Sequence, residues 1–309
     1  MIMVGNKSKS DELRNLGIKK LNSGKIEEAE AIFLEAIELD PMDAQSLFRL
    51  GIIHYRRYQV DKATEKVQKA LEIDPGNVDF LLVQGSLLDD LGDLDEAIDC
   101  FKQVIKKEPS NFEAWNNLGF VHLAKDEPKQ AIIAFKKAIK IAPENADAWF
   151  NLGNAHLEAG DAIAAIKAYK KVVKLDPEDA EAWNNLGNAL LKENKDDVNP
   201  IIDAYKMALK LDPADRKSSY NLGIAYRLSN EDDNAFEMFK KYLQVDKNNA
   251  WAWYNIACLN SLRGEKSLAI ETLEKAIKID PSCGVAAQEE EDFAGMRNDE
   301  DFRELINQK

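Results

Sequence analysis

Apolar residues recur along this chain at the three- and four-residue spacing of amphipathic helices. Within residues 112–145, a first set shares one helical face at i, i+3, i+4 and i+7: Trp115, Leu118, Gly119 and His122. A second set follows at i, i+4 and i+7: Ala131, Phe135 and Ala138. The pattern predicts two helices joined by a short turn. Glycine and alanine on both faces favour a close approach of the two helices, with the large aromatic side chains filling the remaining space.

The two-helix pattern repeats along most of the chain. Prolines mark the period: Pro41, Pro75, Pro109, Pro143 and Pro177 are 34 residues apart, Pro213 follows after 36, and Pro281 comes 68 residues later, with Lys247 between them. Because proline disfavours a helical residue before it, each proline is expected to end a second helix. The period divides the chain into eight units: 10–43, 44–77, 78–111, 112–145, 146–179, 180–215, 216–249 and 250–283.

Each unit also carries the local signals that start and stop helices. The first seven units end in an aspartate or asparagine, which are good N-caps for the following helix: Asp43, Asn77, Asn111, Asn145, Asp179, Asp215 and Asn249. Several units place a glycine at the expected turn between their helices: Gly24, Gly92, Gly160 and Gly264. Since cap, apolar face and stop signal agree, the sequence predicts eight helix pairs.

The repeat resembles a known family. The residues that carry the resemblance are Trp183, Leu186, Gly187, Tyr205, Ala208 and Pro213, together with the 34-residue period, and they are typical of the tetratricopeptide repeat. The resemblance covers residues 10–283 and implies an all-α, right-handed superhelical solenoid of antiparallel helix pairs with a concave groove. Residues 1–9 are polar and are expected to be a flexible N-terminus. Residues 284–309 are predicted to form a C-terminal capping helix, because the last repeat would otherwise expose its apolar face.

Composition and charge limit the classes of partner. The 309 residues are 45% hydrophobic and 31% charged, with a formal net charge of −14. Since phosphate binding requires a basic face, nucleic acid and anionic lipid are not expected partners, whereas a basic protein or peptide is compatible. The first residues lack the apolar core of a signal peptide, and no apolar run has membrane-spanning length, so we expect a cytoplasmic protein without membrane insertion.

Candidate reactive residues are few. His54, His122 and His156 all fall at the eleventh position of their units, which faces neighbouring helices, and equivalent positions lie too far apart to share a metal ion. The three cysteines lie in different units without the spacing of a metal site. The sequence therefore predicts no catalytic residue, metal site or cofactor, and a protein that is not an enzyme.

Asparagines form the most repetitive polar feature. Six of the eight units have asparagine at the sixth position: Asn15, Asn117, Asn151, Asn185, Asn221 and Asn255. Further amides extend this face: Asn116, Asn154, Asn184 and Asn188. An asparagine side chain can both donate to and accept from an extended peptide backbone, as groove asparagines do in the family that the repeat resembles. The alternative is that these amides bond neighbouring helices. Trp251 stands where other units carry mostly charged residues and is either an exposed groove anchor or packed on the adjacent repeat.

Together these features predict a protein-interaction scaffold that binds an extended peptide segment through an asparagine-rich inner face. Two alternatives stay open. In the first, the chain is a self-assembling scaffold or a regulatory subunit that uses its convex face or its ends. In the second, it is the substrate-presenting part of a transferase. Fold alone does not choose among them.

Overall fold

The computed structural model describes residues 2–307, and this part of the chain is built from α-helices arranged in consecutive pairs. The first helices of the predicted units are α1 (Ile2–Asn22), α3 (Ala44–Arg56), α5 (Val78–Leu91), α7 (Phe112–Ala124), α9 (Ala146–Glu158), α11 (Ala180–Glu193), α13 (Arg216–Leu228) and α15 (Ala250–Leu262). The second helices are α2 (Ile26–Leu39), α4 (Val60–Ile73), α6 (Leu94–Lys107), α8 (Pro128–Ile141), α10 (Ala162–Leu175), α12 (Asn199–Leu211), α14 (Asp232–Val245) and α16 (Lys266–Ile279).

The chain forms two compact units, residues 1–155 and 156–309, each of which contains several repeats. We call these two parts the first unit and the second unit, and we call the eight predicted units repeats. In the first, α1 packs on α2, α3 on α4, α5 on α6 and α7 on α8. In the second, α11 packs on α12, α13 on α14 and α15 on α16. Each second helix also contacts the first helix of the next pair within its unit, so each apolar face is covered by its neighbours. The predicted fold class, an all-α solenoid of helix pairs, is confirmed.

A glycine in the first helix allows the two helices of a pair to approach closely. A Cβ atom added to Gly119 would lie 2.5 Å from Cε1 of Phe135, and one added to Gly187 would lie 2.6 Å from Cε1 of Tyr205. Phe135 and Tyr205 are fully buried at these contacts. The aromatic ring therefore occupies the volume that any larger residue at the glycine position would need.

Tryptophans join consecutive repeats by a hydrogen bond as well as by packing. The indole Nε1 of Trp115 donates to the carbonyl oxygen of Pro109 at 2.9 Å. The same bond, always six residues back, is made by Trp149 to Pro143, Trp183 to Pro177 and Trp253 to Lys247. Because the acceptor is a backbone carbonyl, the bond persists at Lys247, where the repeated proline is missing.

The predicted N-caps are confirmed. The side chains of all seven accept a hydrogen bond from a backbone N–H in the first turn of the following helix: Asp43, Asn77, Asn111, Asn145, Asp179, Asp215 and Asn249. Each bond satisfies one of the N–H groups that a helix start leaves without an intrahelical partner.

The turn between the helices of a pair uses the left-handed backbone region in most repeats. Gly24, Gly92, Gly160 and Gly264 have φ between 75° and 83°, as their position predicted. Three repeats place a larger residue there: Tyr58, Asp126 and Asn230 have φ of 58–59°. Tyr58 combines this unfavourable backbone conformation with a side chain that is 93% exposed.

The N-terminal end differs from the sequence expectation. Helix α1 begins at Ile2, so residues 2–9, predicted as a flexible segment outside the first repeat, continue its first helix. The hydroxyl of Ser10 donates to the carbonyl oxygen of Ala36 at 3.0 Å, and Arg14 bonds Asp43 at 3.0 Å. These contacts join residues 10 and 14 of α1 to the end of α2 and to the following cap. Met1 lies outside the described residues, and the flexibility of 1–9 stays a prediction.

The C-terminal segment also differs, because three short helices replace the single predicted capping helix. They are α17 (Ser282–Glu289), a 3₁₀ helix (Glu291–Met296) and α18 (Glu300–Asn307). The extended conformation of Glu290, with φ −65° and ψ 124°, ends α17 and turns the chain back. Phe293 and Phe302 are buried against the core residues of α15 and α16. Residues 308–309, which the prediction also assigned to the cap, lie outside the described part.

The glycine–aromatic contact predicts the effect of a single added methyl group. Replacing Gly119 by alanine is expected to lower the free energy of unfolding by about 1–3 kcal/mol, because Phe135 or the backbone must shift to make room. Denaturant unfolding followed by circular dichroism measures the change. The control is Gly295→Ala, since a Cβ there would meet nothing within 4 Å. An equal effect of the two substitutions would contradict the contact as the cause.

The backbone of Tyr58 predicts a stabilising substitution. Replacing Tyr58 by glycine should raise the free energy of unfolding by about 1 kcal/mol, because glycine adopts positive φ without the steric cost of a Cβ. Tyr58→Ala is the control, since alanine removes the exposed ring but keeps the Cβ. If alanine stabilised as much as glycine, the gain would come from the lost ring and not from the backbone.

Candidate binding groove

The asparagines of the first helices lie beside one another, and several bond across to the neighbouring first helix. In the first unit, Nδ2 of Asn151 on α9 donates to Oδ1 of Asn116 on α7 at 3.2 Å. Asn151 is only 8% exposed, so its side-chain amide forms hydrogen bonds mainly with groups inside the protein. The bond links the first helices of two consecutive repeats.

The second unit contains a larger amide network between α11 and α13. Nδ2 of Asn221 donates to Oδ1 of Asn188 at 2.9 Å and to Oδ1 of Asn184 at 3.3 Å. The hydroxyl of Ser218 also donates to Asn184, at 3.1 Å, and the hydroxyl of Tyr205 donates to Asn188, at 2.8 Å. Asn184 is only 5% exposed, so these bonds satisfy a polar group that would otherwise be buried without a partner.

Asn185 completes the network from the same helix. Its Oδ1 accepts from Nδ2 of Asn184 at 3.3 Å and from Nδ2 of Asn188 at 3.5 Å. These bonds turn the carboxamide oxygen of Asn185 toward its own helix. Its Nδ2, which donates no hydrogen bond to another described residue, therefore points away from both partners.

An open groove of about 890 Å³ lies over this network. Its polar lining includes Asn184, Asn185, Asn188, Asn221 and Asn249, and its aromatic lining is Tyr220 and Tyr242. The two tyrosine ring centroids are 5.5 Å apart. The phenol oxygen of Tyr242 accepts from Nδ2 of Asn249 at 3.1 Å, which orients this ring at the edge of the groove.

Charged groups surround the groove, and acids exceed bases. The acids are Glu181, Asp212, Asp215 and Asp246, and the bases are Arg216 and Lys217. Asp246 accepts from the backbone N–H of Asn248 at 3.1 Å and from the phenol of Tyr242 at 3.3 Å. Asp215 acts as the N-cap of α13. The exposed carboxylate of Glu181 has no such local bond among the described residues.

Asn255 lies outside this groove and is enclosed by other contacts. Nη1 of Arg227 donates to its Oδ1 at 2.6 Å, and its own Nδ2 donates to the carbonyl oxygen of Trp251 at 2.7 Å. Arg227 also forms an ion pair with Asp292 of the C-terminal 3₁₀ helix. The C-terminal segment thus reaches the inner side of α13 and α15, and Asn255 is 5% exposed.

The remaining residues predicted to bind a peptide differ from one another in their exposure. Asn15 is exposed on α1, and Asn117 and Asn154 are partly exposed on α7 and α9. Trp251 is 41% exposed and packs edge-on against Tyr254, with centroids 5.3 Å apart. Tyr254 belongs to the same helix, so this contact does not decide between the groove anchor and packing on the adjacent repeat, and both stay predictions.

The groove also contains residues that the sequence argument missed. Tyr220 could have been found, since it directly precedes Asn221 and lines the same groove. Tyr242 lies on a second helix, which a pattern confined to first helices does not include. Arg227, which bonds Asn255 outside the groove lining, was also missed, because its partner Asp292 lies 65 residues away, outside the repeats.

The three histidines lie next to the turns between paired helices. Nδ1 of His54 lies 2.9 Å from Oε1 of Gln59, and Nδ1 of His122 lies 2.7 Å from Oε2 of Glu127, so each ring bonds the residue that precedes the next helix. His156 is 3.6 Å from the equivalent Asp161. The three rings therefore repeat one contact at the turn of a helix pair.

One group within residues 2–307 brings together side chains of metal-ligating type: Cys258, Glu290 and Asp292. Two features disfavour a cation there. Burial raises the pKa of the Cys258 thiol far above its usual value, which opposes the thiolate that binds metals. Arg227 already neutralises the carboxylate of Asp292.

The amide network predicts unequal roles for asparagines of the same face. Replacing Asn184 by alanine should lower the free energy of unfolding by about 1–3 kcal/mol, because the amide of Asn221 and the hydroxyl of Ser218 lose a buried acceptor. Asn117→Ala, at a partly exposed position, is the control and should change it by less than about 1 kcal/mol. Denaturant titration of both variants tests the difference. Equal, small losses would show that the network contributes nothing to stability.

Comparisons with known proteins give one consistent result. Family models described as "Tetratricopeptide repeat" match residues 14–78, 82–146, 134–167, 217–249 and 252–283, and one described as "TPR repeat" matches 158–194. No curated protein matches the chain. No helix in the described part is both long and apolar enough to cross a membrane.

Solved structures resemble the chain over half of its length or more. A crystal structure of MamA is 28% identical, covers 54% of this chain and 90% of its own, and has a TM-score of 0.51. YrrB, titled a TPR protein with an unusual peptide-binding site, is 23% identical over 61% of this chain and 96% of its own, with a TM-score of 0.54. The C-terminal part of a repeat protein from Cytophaga hutchinsonii is 14% identical over 78% and 98%, with a TM-score of 0.67. The last two likenesses concern the fold alone.

Proposed function

Because the chain belongs to the tetratricopeptide repeat family, we propose that it is a non-catalytic protein-interaction scaffold that binds an extended peptide segment in the groove over α11 and α13. The observation that carries the proposal is the orientation of two neighbouring asparagines, Asn185 and Asn221. Both line the groove, and their existing hydrogen bonds leave complementary atoms free.

The two asparagines match the two hydrogen-bonding groups of a peptide unit. Asn185 directs its Oδ1 to its own helix, so its Nδ2 is the atom available to a ligand carbonyl. Asn221 donates from its Nδ2 to Asn184 and Asn188, so its Oδ1 is the atom available to a ligand N–H. One donor and one acceptor on adjacent helices suit the backbone of an extended segment without reading its side chains.

The network that fixes these amides also favours binding. A free asparagine side chain loses rotamer freedom when it bonds a ligand, whereas Asn185 and Asn221 are already held by Asn184 and Asn188. The ordering cost is thereby met on folding instead of on binding. The structural role of the amides and a role in recognition are therefore compatible.

The rest of the lining indicates which side chains the segment would carry. Tyr220 and Tyr242 provide an aromatic surface for an apolar or aromatic side chain. The excess of acids around the groove, including the exposed Glu181, favours basic residues in the ligand. The proposed partner is an extended segment with basic and apolar residues.

The test uses a displayed library of random peptides, from which binders are selected with the full chain and measured by calorimetry. Asn185→Ala and Asn221→Ala should each weaken a selected peptide by about 3- to 10-fold, the effect of one lost hydrogen bond. The control is Asn234→Ala, an exposed asparagine of α14 outside the groove lining, and it should leave affinity unchanged.

Two results would contradict the proposal. One is selected peptides that bind all three variants as tightly as the wild type. The other is a library that yields no binder with wild-type protein of verified helicity. A loss shared by the Asn234 variant would also assign binding to another surface.

A further inference from the structure

Lysines recur at the same repeat positions on the outer, second helices of the second unit. We call the following five residues the lysine face: Lys170 and Lys174 on α10, Lys206 and Lys210 on α12, and Lys240 on α14. All five are exposed. Since equivalent positions of stacked repeats lie on one side of a solenoid, these charges share one surface of this unit.

The lysine face is largely unneutralised. Lys170, Lys174 and Lys210 form no ion pair with another described residue, and Lys240 lies 3.7 Å from Glu237. Helix α10 contains four lysines and no acid, in a chain with net charge −14. Favourable placement at helix C-termini accounts for Lys174 and Lys210, which lie in a last turn, but not for Lys170 and Lys206, one turn earlier.

The C-terminal segment has the opposite character. Residues 289–304 contain eight acids and two arginines. Three acids of α18 are exposed and form no ion pair with another described residue: Glu300, Asp301 and Glu304. We call these three the acidic cap. An exposed aliphatic side chain accompanies each surface, Ile163 on α10 at 52% and Val285 on α17 at 67%.

We propose that the lysine face of one copy binds the acidic cap of a second copy. The two surfaces have complementary charge, and no ion pair among residues 2–307 joins them. Because each copy carries both surfaces, the contact is heterologous and extends head to tail beyond a dimer. A nucleic acid is a poorer occupant, since the face has lysines without arginine and the chain as a whole repels polyphosphate.

Sedimentation velocity of the full chain at increasing concentration tests this association. The wild type should self-associate at low salt, and raising the ionic strength from about 0.05 to 0.5 M should weaken association at least about tenfold, since exposed ion pairs are screened. The triple charge reversals K170E/K174E/K210E and E300K/D301K/E304K should each abolish it. An equimolar mixture of the two variants should restore it, because each reversed surface then meets its complement.

The control K62E/K195E/K247E makes the same charge change at exposed lysines away from the lysine face. It should weaken association by about twofold at most. Circular dichroism verifies that each variant is folded. A wild type that stays monomeric at low salt, a control as defective as the face variant, or a mixture that stays monomeric would each overturn the proposal. Peptide selection by the groove does not depend on these residues, so the two proposals fail separately.

Discussion

In six repeats, a contact between a glycine of the first helix and a large side chain of the second helix sets how the pair is built. The first helix of the last repeat, α15, has Ala257 at this position. Gly119 meets Phe135, and Gly187 meets Tyr205, at distances that exclude even a methyl group. Gly51 makes the same contact with Val67 in place of an aromatic ring. Because this contact fixes the distance between the two helices of a pair, the first helix of the following repeat packs at a fixed position relative to that pair. The caps and the tryptophan–carbonyl bonds then repeat with the same geometry in successive pairs.

This spacing explains why the asparagines bond one another. First helices of consecutive repeats lie close enough for the amide of Asn221 to reach both Asn184 and Asn188. A charged side chain at a position as buried as that of Asn184 would lack a counterion. A neutral amide is both long enough and able to donate and accept. The same side chains therefore stabilise the stack and orient the remaining polar atoms over the groove.

The sequence predicts the repetitive part of this structure well because each signal there is local. An N-cap such as Asp179 acts on an N–H three residues away, and Gly92 acts on its own backbone, so neither needs knowledge of distant residues. The family and the all-α solenoid follow from such signals repeated over eight units. The contacts of α1 with Ala36 and Asp43 were not predictable in this way, because Ser10 and Arg14 make them with residues 26 to 33 positions away.

The candidate site was predicted only in outline for the same reason. Periodicity identifies which residues share the inner face, but it does not distinguish Asn184, which is buried, from the adjacent Asn185, which keeps a free donor. That difference depends on a rotation of about 100° per residue and on the position of the neighbouring helix. Periodicity also does not reveal that the C-terminal segment brings Asp292 to Arg227 and encloses Asn255. Departures from the repeat, here a non-repetitive segment at the end of the chain, therefore decide which positions of a repetitive face remain available to a ligand.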